Sequence, residues 1–295
     1  MRVLVTGGAG FIGSNVVDAL AARGDLVVVL DDLSTGDRGN LAPATTLRVA
    51  DVADERALDA VKGEPFDAIV HCASKTKVVE SMEKAELYRR VIVDGTRNIV
   101  RLAEDCHARI FVNLSTGGAL YGETPVCATE QTPLEAPSNY GRYKAEAERV
   151  VAAAQVPNVT LRLANVYGPR QRRDLEGGVV SIFQGCWQRG EPITIYGDGT
   201  AERDYVHVAD VVEAITSAFA GRHSGVYNVG TGVPTSVNAL VAVMRKVLGP
   251  PPGVHQAPPR SVEVQRSCLD ASKAARDGLW RPRISLEEGI RRTVA

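Results

Sequence analysis

Tyr140 and Lys144 are spaced as Tyr-x-x-x-Lys within Ser138-Asn-Tyr-Gly-Arg-Tyr-Lys144, which puts both side chains on one face of a helix. A free phenol ionises near ~10, and an ammonium beside it favours the charged form. The pair therefore predicts a phenolic base usable near neutral pH. Upstream stands Ser115-Thr-Gly-Gly-Ala-Leu-Tyr-Gly122, a strip with two hydroxyls at the end of an apolar run. A third group, Asp31, closes the run Leu26-Val-Val-Val-Leu30.

These groups need a scaffold, and the first thirteen residues describe one. Val3–Val5 reads as a strand, glycines follow at 7, 8, 10 and 13, and Ile12, Val16, Ala19 and Leu20 open a helical pattern. Such a turn brings backbone N–H groups and a helix N-terminus close to a pyrophosphate. The spacing Gly7-x-x-Gly10-x-x-Gly13 follows the logic of the dinucleotide fingerprint rather than its letter. Asp31 lies 18 residues after Gly13, where a carboxylate can accept ribose hydroxyls and repel a 2′-phosphate, which favours NAD over NADP. Asp51 closes the next apolar run and is placed for the adenine.

Further apolar runs at 47–50, 68–71, 110–114 and 159–163 alternate with helical patterns near 12–22, 54–62, 84–105 and 140–154. That alternation predicts an α/β fold, a doubly wound parallel sheet of Rossmann type, with polar residues at the C-terminal strand ends where such sheets bind ligands. The expected division is a cofactor domain over residues 1–165, to which 206–225 returns, and a smaller α/β substrate domain over 166–295. Its markers are short strands at 193–196 and 203–207 and a proline-rich loop before a last strand and helix, while a helix near 208–220 returns to the cofactor domain. The 84–105 and 140–154 helices have a second face for a partner subunit.

At 295 residues the chain is long enough for two lobes. A net charge of -1 gives no footprint for nucleic acid, and no apolar run spans a bilayer. Five scattered cysteines with no Cys-x-x-Cys pair predict neither a disulfide framework nor structural zinc. The histidines have no metal-ligand spacing, so no metal is expected, and with no signal peptide in view a cytoplasmic protein is.

Taken together, Thr6–Gly13, Asp31-Asp-Leu-Ser-Thr-Gly36, Asp51, His71-Cys-Ala73, Gly95-Thr96, Ser115–Gly122, Tyr140–Lys144 and Asn165-Val-Tyr-Gly-Pro169 form a specific set. With Gly178-Val179, Tyr196-Gly-Asp-Gly199, Arg203-Asp-Tyr205 and Leu269-Asp-Ala-Ser-Lys273, the chain resembles the extended short-chain dehydrogenase/reductases nearly end to end. Within them it is similar to the NAD-dependent nucleotide-sugar epimerase/dehydratase family, most closely its UDP-glucose 4-epimerase-like members.

The resemblance implies tightly bound NAD. Gly7, Gly10, Phe11, Ile12 and Gly13 would hold its pyrophosphate, Asp31 and Asp32 with Ser34, Thr35 and Gly36 its adenosine ribose, and Asp51 and Val52 its adenine. Cys72, Ala73 and Ser74 would border the nicotinamide half and Lys144 its ribose. For a nucleotide sugar, UDP-linked by the same resemblance, Asn165 and Gly178, Val179 and Val180 would touch the diphosphate. Tyr196 and Tyr205 would lie by the nucleotide, Arg203 and Arg260 would neutralise the phosphates, and Glu263 would take the ribose. The implied reaction inverts C4 of a UDP-hexose or UDP-N-acetylhexosamine through a 4-keto sugar, in a homodimer. The family's dehydratases, decarboxylases and 4-ketosugar reductases are the alternatives.

Four departures bear on this. Gly117 stands where most members carry a bridging Ser or Thr, so Thr116, ahead of Ser115, takes that role. Gly117-Gly118 supplies none of the acids found in the dehydratases and decarboxylases, and Glu123 is the nearest substitute. Ile92 replaces a usual Asn, and Ser267 is a small residue at a position lining the sugar pocket, which suits a 2-acetamido group.

Overall fold

The computed structural model describes residues 1–174, 178–220, 222–259 and 264–294. Aliphatic runs form β1 (Arg2–Thr6), β2 (Leu26–Asp31), β3 (Thr46–Val49), β4 (Ala68–His71), β5 (Ile110–Thr116) and β6 (Asn158–Leu163). Then come β7 (Asn165–Tyr167), β8 (Ile193–Tyr196), β9 (Glu202–His207), β10 (Gly225–Val229), β11 (Pro234–Ser236), β12 (Val254–Ala257) and β13 (Arg266–Ser267). A seven-stranded parallel sheet takes the order β10-β6-β5-β4-β1-β2-β3. The order reverses between β1 and β4, the place where doubly wound sheets leave a crevice at their C-terminal edge.

Both faces of this sheet are covered. Val3 and Val5 of β1 enter one core with Val29, Ala68 and Val70, while Leu4 enters another with Val28, Leu30 and Ile69. This period of two explains why the strands read as continuous apolar runs. On the first face lie α1 (Phe11–Ala22), through Val16, Val17 and Leu20, and Val211 and Ile215 of a later helix. On the second face Ile99, Val100, Ala103 and Val151 close the core.

Between β4 and β5 come α2 (Val78–Glu83), α3 (Ala85–Arg89), a π turn at Arg90–Asp94, and α4 (Gly95–Asp105). The long helix read over 84–105 is therefore broken at its middle. After the hydroxyl strip comes α5 (Asn139–Ala152), then α6 (Val179–Arg189), α7 (Val208–Ala218), α8 (Val237–Leu248), α9 (Ser272–Arg276) and α10 (Leu286–Val294). Tyr167, Phe183, Ile195, Tyr205, Leu240 and Met244 fill a third core beneath β7, β9 and β8.

Two expectations are corrected. The helix expected over 54–62 is a single 3-10 turn at Ala57–Ala60. Leu58 and Val61 anchor it, and Gly63, at φ +79°, ends it before a second turn can form. The cysteines also pair after all: Cys127 and Cys268 form a disulfide across a sequence separation of 141. A backbone bridge between Ala128 and Leu269 brings them together, a crossing that no local spacing reveals. The cysteine pattern accordingly gives no argument for a reducing compartment. Among the described residues, no helix is long and apolar enough to cross a membrane.

Candidate active site

The glycine turn approaches its neighbours so closely that side chains are excluded. Gly7 has φ +66°, and a Cβ there would stand 2.7 Å from the Ala73 nitrogen; one on Gly13 would stand 2.2 Å from the Gly7 carbonyl. Gly10 caps α1 with no side-chain acceptor. The first-turn N–H groups of a helix lack intrahelical acceptors, and here they belong to Phe11, Ile12 and Gly13, which line the cleft above the sheet.

Along the same cleft, Asp31, Asp32, Ser34 and Thr35 form one wall, with Asp51 and Val52 beyond them. Asp31 Oδ2 accepts the Ala9 N–H at 2.9 Å and Oδ1 the Leu33 N–H at 2.9 Å. Burial raises its carboxyl above the ordinary carboxylate range, against the pull of those two N–H groups. Asp31 thus also braces the glycine turn. Asp32 accepts from the Ser34 N–H and hydroxyl, and Asp51 is paired with Arg90 at 2.8 Å. Gly36 does not line the cleft; it packs behind Asp31, where a Cβ would lie 2.7 Å from Oδ1.

Cys72, Ala73 and Ser74 border the other end, beside Ser115, Thr116, Tyr140 and Lys144. Burial pushes the Cys72 thiol up to about 12, which leaves it protonated. Ser138 caps α5 by accepting the Gly141 N–H at 3.2 Å, and the Tyr140 N–H donates to Ser81 Oγ at 3.1 Å. Gly141 is required by a close approach: a Cβ there would lie 2.2 Å from the Ala119 carbonyl. The helix carrying Tyr140 is thereby docked onto the hydroxyl strip.

Lys144 Nζ donates to the Leu114 carbonyl at 3.0 Å, and burial lowers the ammonium to about 8. One of its three N–H donors is used there. Ser115 Oγ is buried with no partner among the described residues, while Thr116 Oγ1 accepts the Ala119 N–H at 3.4 Å. A close-approach turn, a wall carboxylate, a buried ammonium and an orphaned hydroxyl make a donor and acceptor set that fits a dinucleotide.

Sequence reasoning missed the groups beneath this site. Ala73 N–H donates to Thr6 Oγ1 at 3.3 Å, Thr6 Oγ1 meets His71 Nδ1 at 2.7 Å, and His71 Nε2 meets Thr96 Oγ1 at 3.1 Å. Thr96 Oγ1 donates to the Ile92 carbonyl at 2.5 Å. Because Thr96 gives its proton to Ile92, His71 must donate from Nε2 and accept at Nδ1. Burial, with Lys144 nearby, lowers His71 to about 3. The Ile92 side chain shares a buried cluster with Tyr88 and Tyr140, so the residue standing where the resemblance implies Asn supports Tyr140 by packing. One turn along α5 from Lys144, Glu148 makes a forked pair with Arg162, at 3.0 Å to Nε and 2.6 Å to Nη2. Arg162 Nη1 donates to Tyr121 Oη at 2.7 Å, and Tyr121 Oη donates to Asn228 Oδ1 at 2.9 Å.

A second cleft shares Phe11, Ile12, Thr76, Ala164 and Val166 with the first and contains Asn165, Gly178, Val179, Val180 and Tyr205. Tyr196 and Arg203 do not line it: Tyr196 stands on β8, partly exposed, and Arg203 on β9 donates to the Glu202 carbonyl at 2.8 Å. Arg260 and Glu263 lie outside the described residues. Glu123 is committed elsewhere, its carboxylate accepting the N–H groups of Gln265 and Arg266 at 2.6 and 2.8 Å.

A sequence model of the NAD dependent epimerase/dehydratase family matches residues 3–230. The chain belongs to this family. NAD is accordingly the dinucleotide for which its cleft is built. The chain is 38% identical to the UDP-glucose 4-epimerase of Mycolicibacterium smegmatis over 307 residues, covering 100% of this chain and 97% of that one. Two solved structures are similar throughout. The UDP-glucose 4-epimerase of Thermus thermophilus in complex with NAD has a TM-score of 0.93 at 39% identity, covering 100% of this chain and 98% of that one. The UDP-glucose 4-epimerase of Thermotoga maritima with UDP-glucose has a TM-score of 0.94 at 36% identity, covering 100% and 97%.

Proposed function

We propose that this member of the family is a nucleotide-sugar 4-epimerase with tightly held NAD, acting on a UDP-hexose or UDP-N-acetylhexosamine. The observation that carries the reading is the composition of the strip facing Tyr140. Ser115 and Thr116 bring hydroxyls to the cleft, Gly117 and Gly118 bring no acid, and Glu123 is occupied by two backbone N–H groups. Elimination or decarboxylation needs a further acid or base beside the ring, whereas inversion needs one reversible proton transfer at O4. The UDP-glucose 4-epimerases at 36–39% identity support the same choice of reaction and nucleotide.

In this mechanism Tyr140 takes the O4 proton through the Thr116 hydroxyl, with Ser115 the alternative relay, and returns it to the same oxygen once the 4-keto sugar has turned its other face. Bound NAD supplies a reversible two-electron acceptor for the sugar's C4. Lys144, held on the Leu114 carbonyl, keeps a positive charge beside the phenol and orients the cofactor ribose. Asn165 and the backbone of Gly178–Val180 hold the diphosphate while the sugar turns over, and Arg203 and Arg260 are assigned to its charge, Tyr196, Tyr205 and Glu263 to the nucleoside. Ser267, a short side chain near Gly118, leaves room for a 2-acetamido group. Two copies pair through α4 and α5.

The test is to incubate the purified protein with UDP-, dTDP-, GDP- and ADP-sugars without added NAD and to follow C4 by NMR. C4 inversion of a UDP-sugar is expected. A 4-keto-6-deoxy or decarboxylated product, or a requirement for added reduced cofactor, overturns the reading.

A further inference from the structure

We propose that the Cys127–Cys268 disulfide is a redox modification site, opened by exchange with a dithiol, that controls the order of the segment packed against the hydroxyl strip. The proposal rests on the nucleotide-sugar reading for its effect on substrate, and on geometry alone for the site itself.

The bond, with its Cα atoms 4.5 Å apart, sits at a crossing of two segments. Ala128 pairs with Leu269; the Ala128 N–H donates to the Cys268 carbonyl and the Asp270 N–H to the Ala128 carbonyl, both at 2.8 Å. From this crossing the second segment hangs between the hydroxyl strip and β9. Glu123, at the end of the strip, holds the N–H groups of Gln265 and Arg266. On the other side Arg266 and Ser267 pair with Glu202 and Arg203 of β9, and the Leu269 N–H donates to Asp204 Oδ2 at 3.3 Å.

What hangs there packs against the glycines of the hydroxyl strip. Leu269 packs against Gly117, and Ser267 Oγ against Gly118, the two residues that follow Ser115 and Thr116. Displacing the segment therefore loosens the packing on the strip that carries the relay hydroxyls. Short parallel bridges such as Ala128–Leu269 and the two-residue β13 are low-stability units by themselves; the disulfide is the covalent tie that keeps them together.

Access selects the attacked sulfur. Cys268 is 1% exposed, whereas Cys127 is half-buried beside the exposed Val126. The thiolate of a dithiol bonds to Cys127 Sγ, the Cys127–Cys268 bond breaks, and Cys268 leaves as a thiolate and takes a proton. The second thiol then attacks the mixed disulfide, releasing Cys127 as a thiol and the reagent as its cyclic disulfide. The protein gains two electrons and two protons, and the dithiol loses them. The free cysteines Cys72, Cys106 and Cys186 do not compete, since burial keeps each thiol protonated.

The experiment uses the purified holoenzyme, equilibrated with glutathione disulfide or with dithiothreitol. Denaturing thiol titration should count three free thiols in the first state and five in the second. Hydrogen exchange at the Ala128 and Asp270 amides should accelerate on reduction. The KM for the UDP-sugar should rise about fivefold with kcat less affected, as when the competent arrangement of the strip is populated about one time in five. Cys127→Ser should behave as the reduced protein and ignore the dithiol. Five free thiols after glutathione disulfide, or equal exchange and equal KM in the two states, overturns the proposal. Amide exchange that responds to dithiothreitol in a protein that turns over no nucleotide sugar instead overturns the substrate reading and sustains the redox site.

Discussion

Leu269 fills the space into which any side chain at Gly117 would project: an added Cβ would meet Leu269 Cδ2 at 2.4 Å and Cδ1 at 2.5 Å. Gly117 is therefore packed tightly under Leu269, and the bridging hydroxyl that the family resemblance leads one to expect at this position would need Leu269 to shift. Gly117→Ser should destabilise the protein by about 1–3 kcal/mol through overpacking. Combining it with Leu269→Ala should cost less than the sum of the two single changes. Denaturant melts of the four proteins measure this, and strict additivity would remove the claimed contact.

Ser115 and Thr116 are left as the hydroxyls that the strip brings to the cleft. Thr116→Ala should lower kcat by about 10²-fold or more, the lower range for a lost proton relay, with Ser115→Ala much milder. Steady-state kinetics decide the order, and near-wild-type turnover in both would exclude the strip from the proton path.

His71 carries a pH signature. Its folded pKa lies at about 3, below the ordinary 6.5, so between these values the unfolded chain binds more protons than the folded one. Stability contributed by neutral His71 is thus complete above about 6.5 and lost as pH falls toward about 3. Wild type should lose up to ~1.4 kcal/mol per pH unit from this group in that window, and His71→Gln should flatten the slope while lowering stability at pH 7. Urea melts across pH 3.5–7 provide the check; parallel curves would contradict it.

Glu148 and Arg162 form a pair with both side chains under one-tenth exposed. Removing one partner strands a buried charge, so Glu148→Leu and Arg162→Met should each cost about 3–5 kcal/mol. The double change should cost less than either alone, because it removes both desolvation penalties. Thermal melts separate these cases, and a double variant as weak as the summed singles would show that the hydrogen bonds to Tyr121 matter more than the charges.

Much of the scaffold was legible because its signals are local. Val3 to Gly13 specify strand, turn and helix within a few residues, and Ser138 to Lys144 specify a capped helix with its two reactive groups on one face. Of the misreadings, one lay in an adjacent residue and the rest in information carried elsewhere in the chain. Segment 54–62 contains helix-forming residues, yet with Gly63 following it had only Leu58 and Val61 to anchor it. The partnership of Cys127 with Cys268, and that of Glu148 with Tyr121 through Arg162, depend on how separate strands cross. The chain from Thr6 through His71 to Thr96 is drawn from three elements; each residue stands in a motif of the sequence, but their joining by hydrogen bonds required the fold. Position 92 was noticed as a substitution, but its packing against Tyr140 required the fold.

The last strand of the main sheet has a consequence for synthesis. β6 finds its outer neighbour β10 only after the chain has passed through β7, β8, β9 and α7. Until Val229 emerges from the ribosome, β6 is an open edge with an unpaired row of N–H and C=O groups, a template for wrong partners. The nascent chain must keep that edge uncommitted across a long loop whose closure is entropically costly. Chains stopped between residues 163 and 225 therefore carry a sticky border that is covered once β10 has paired.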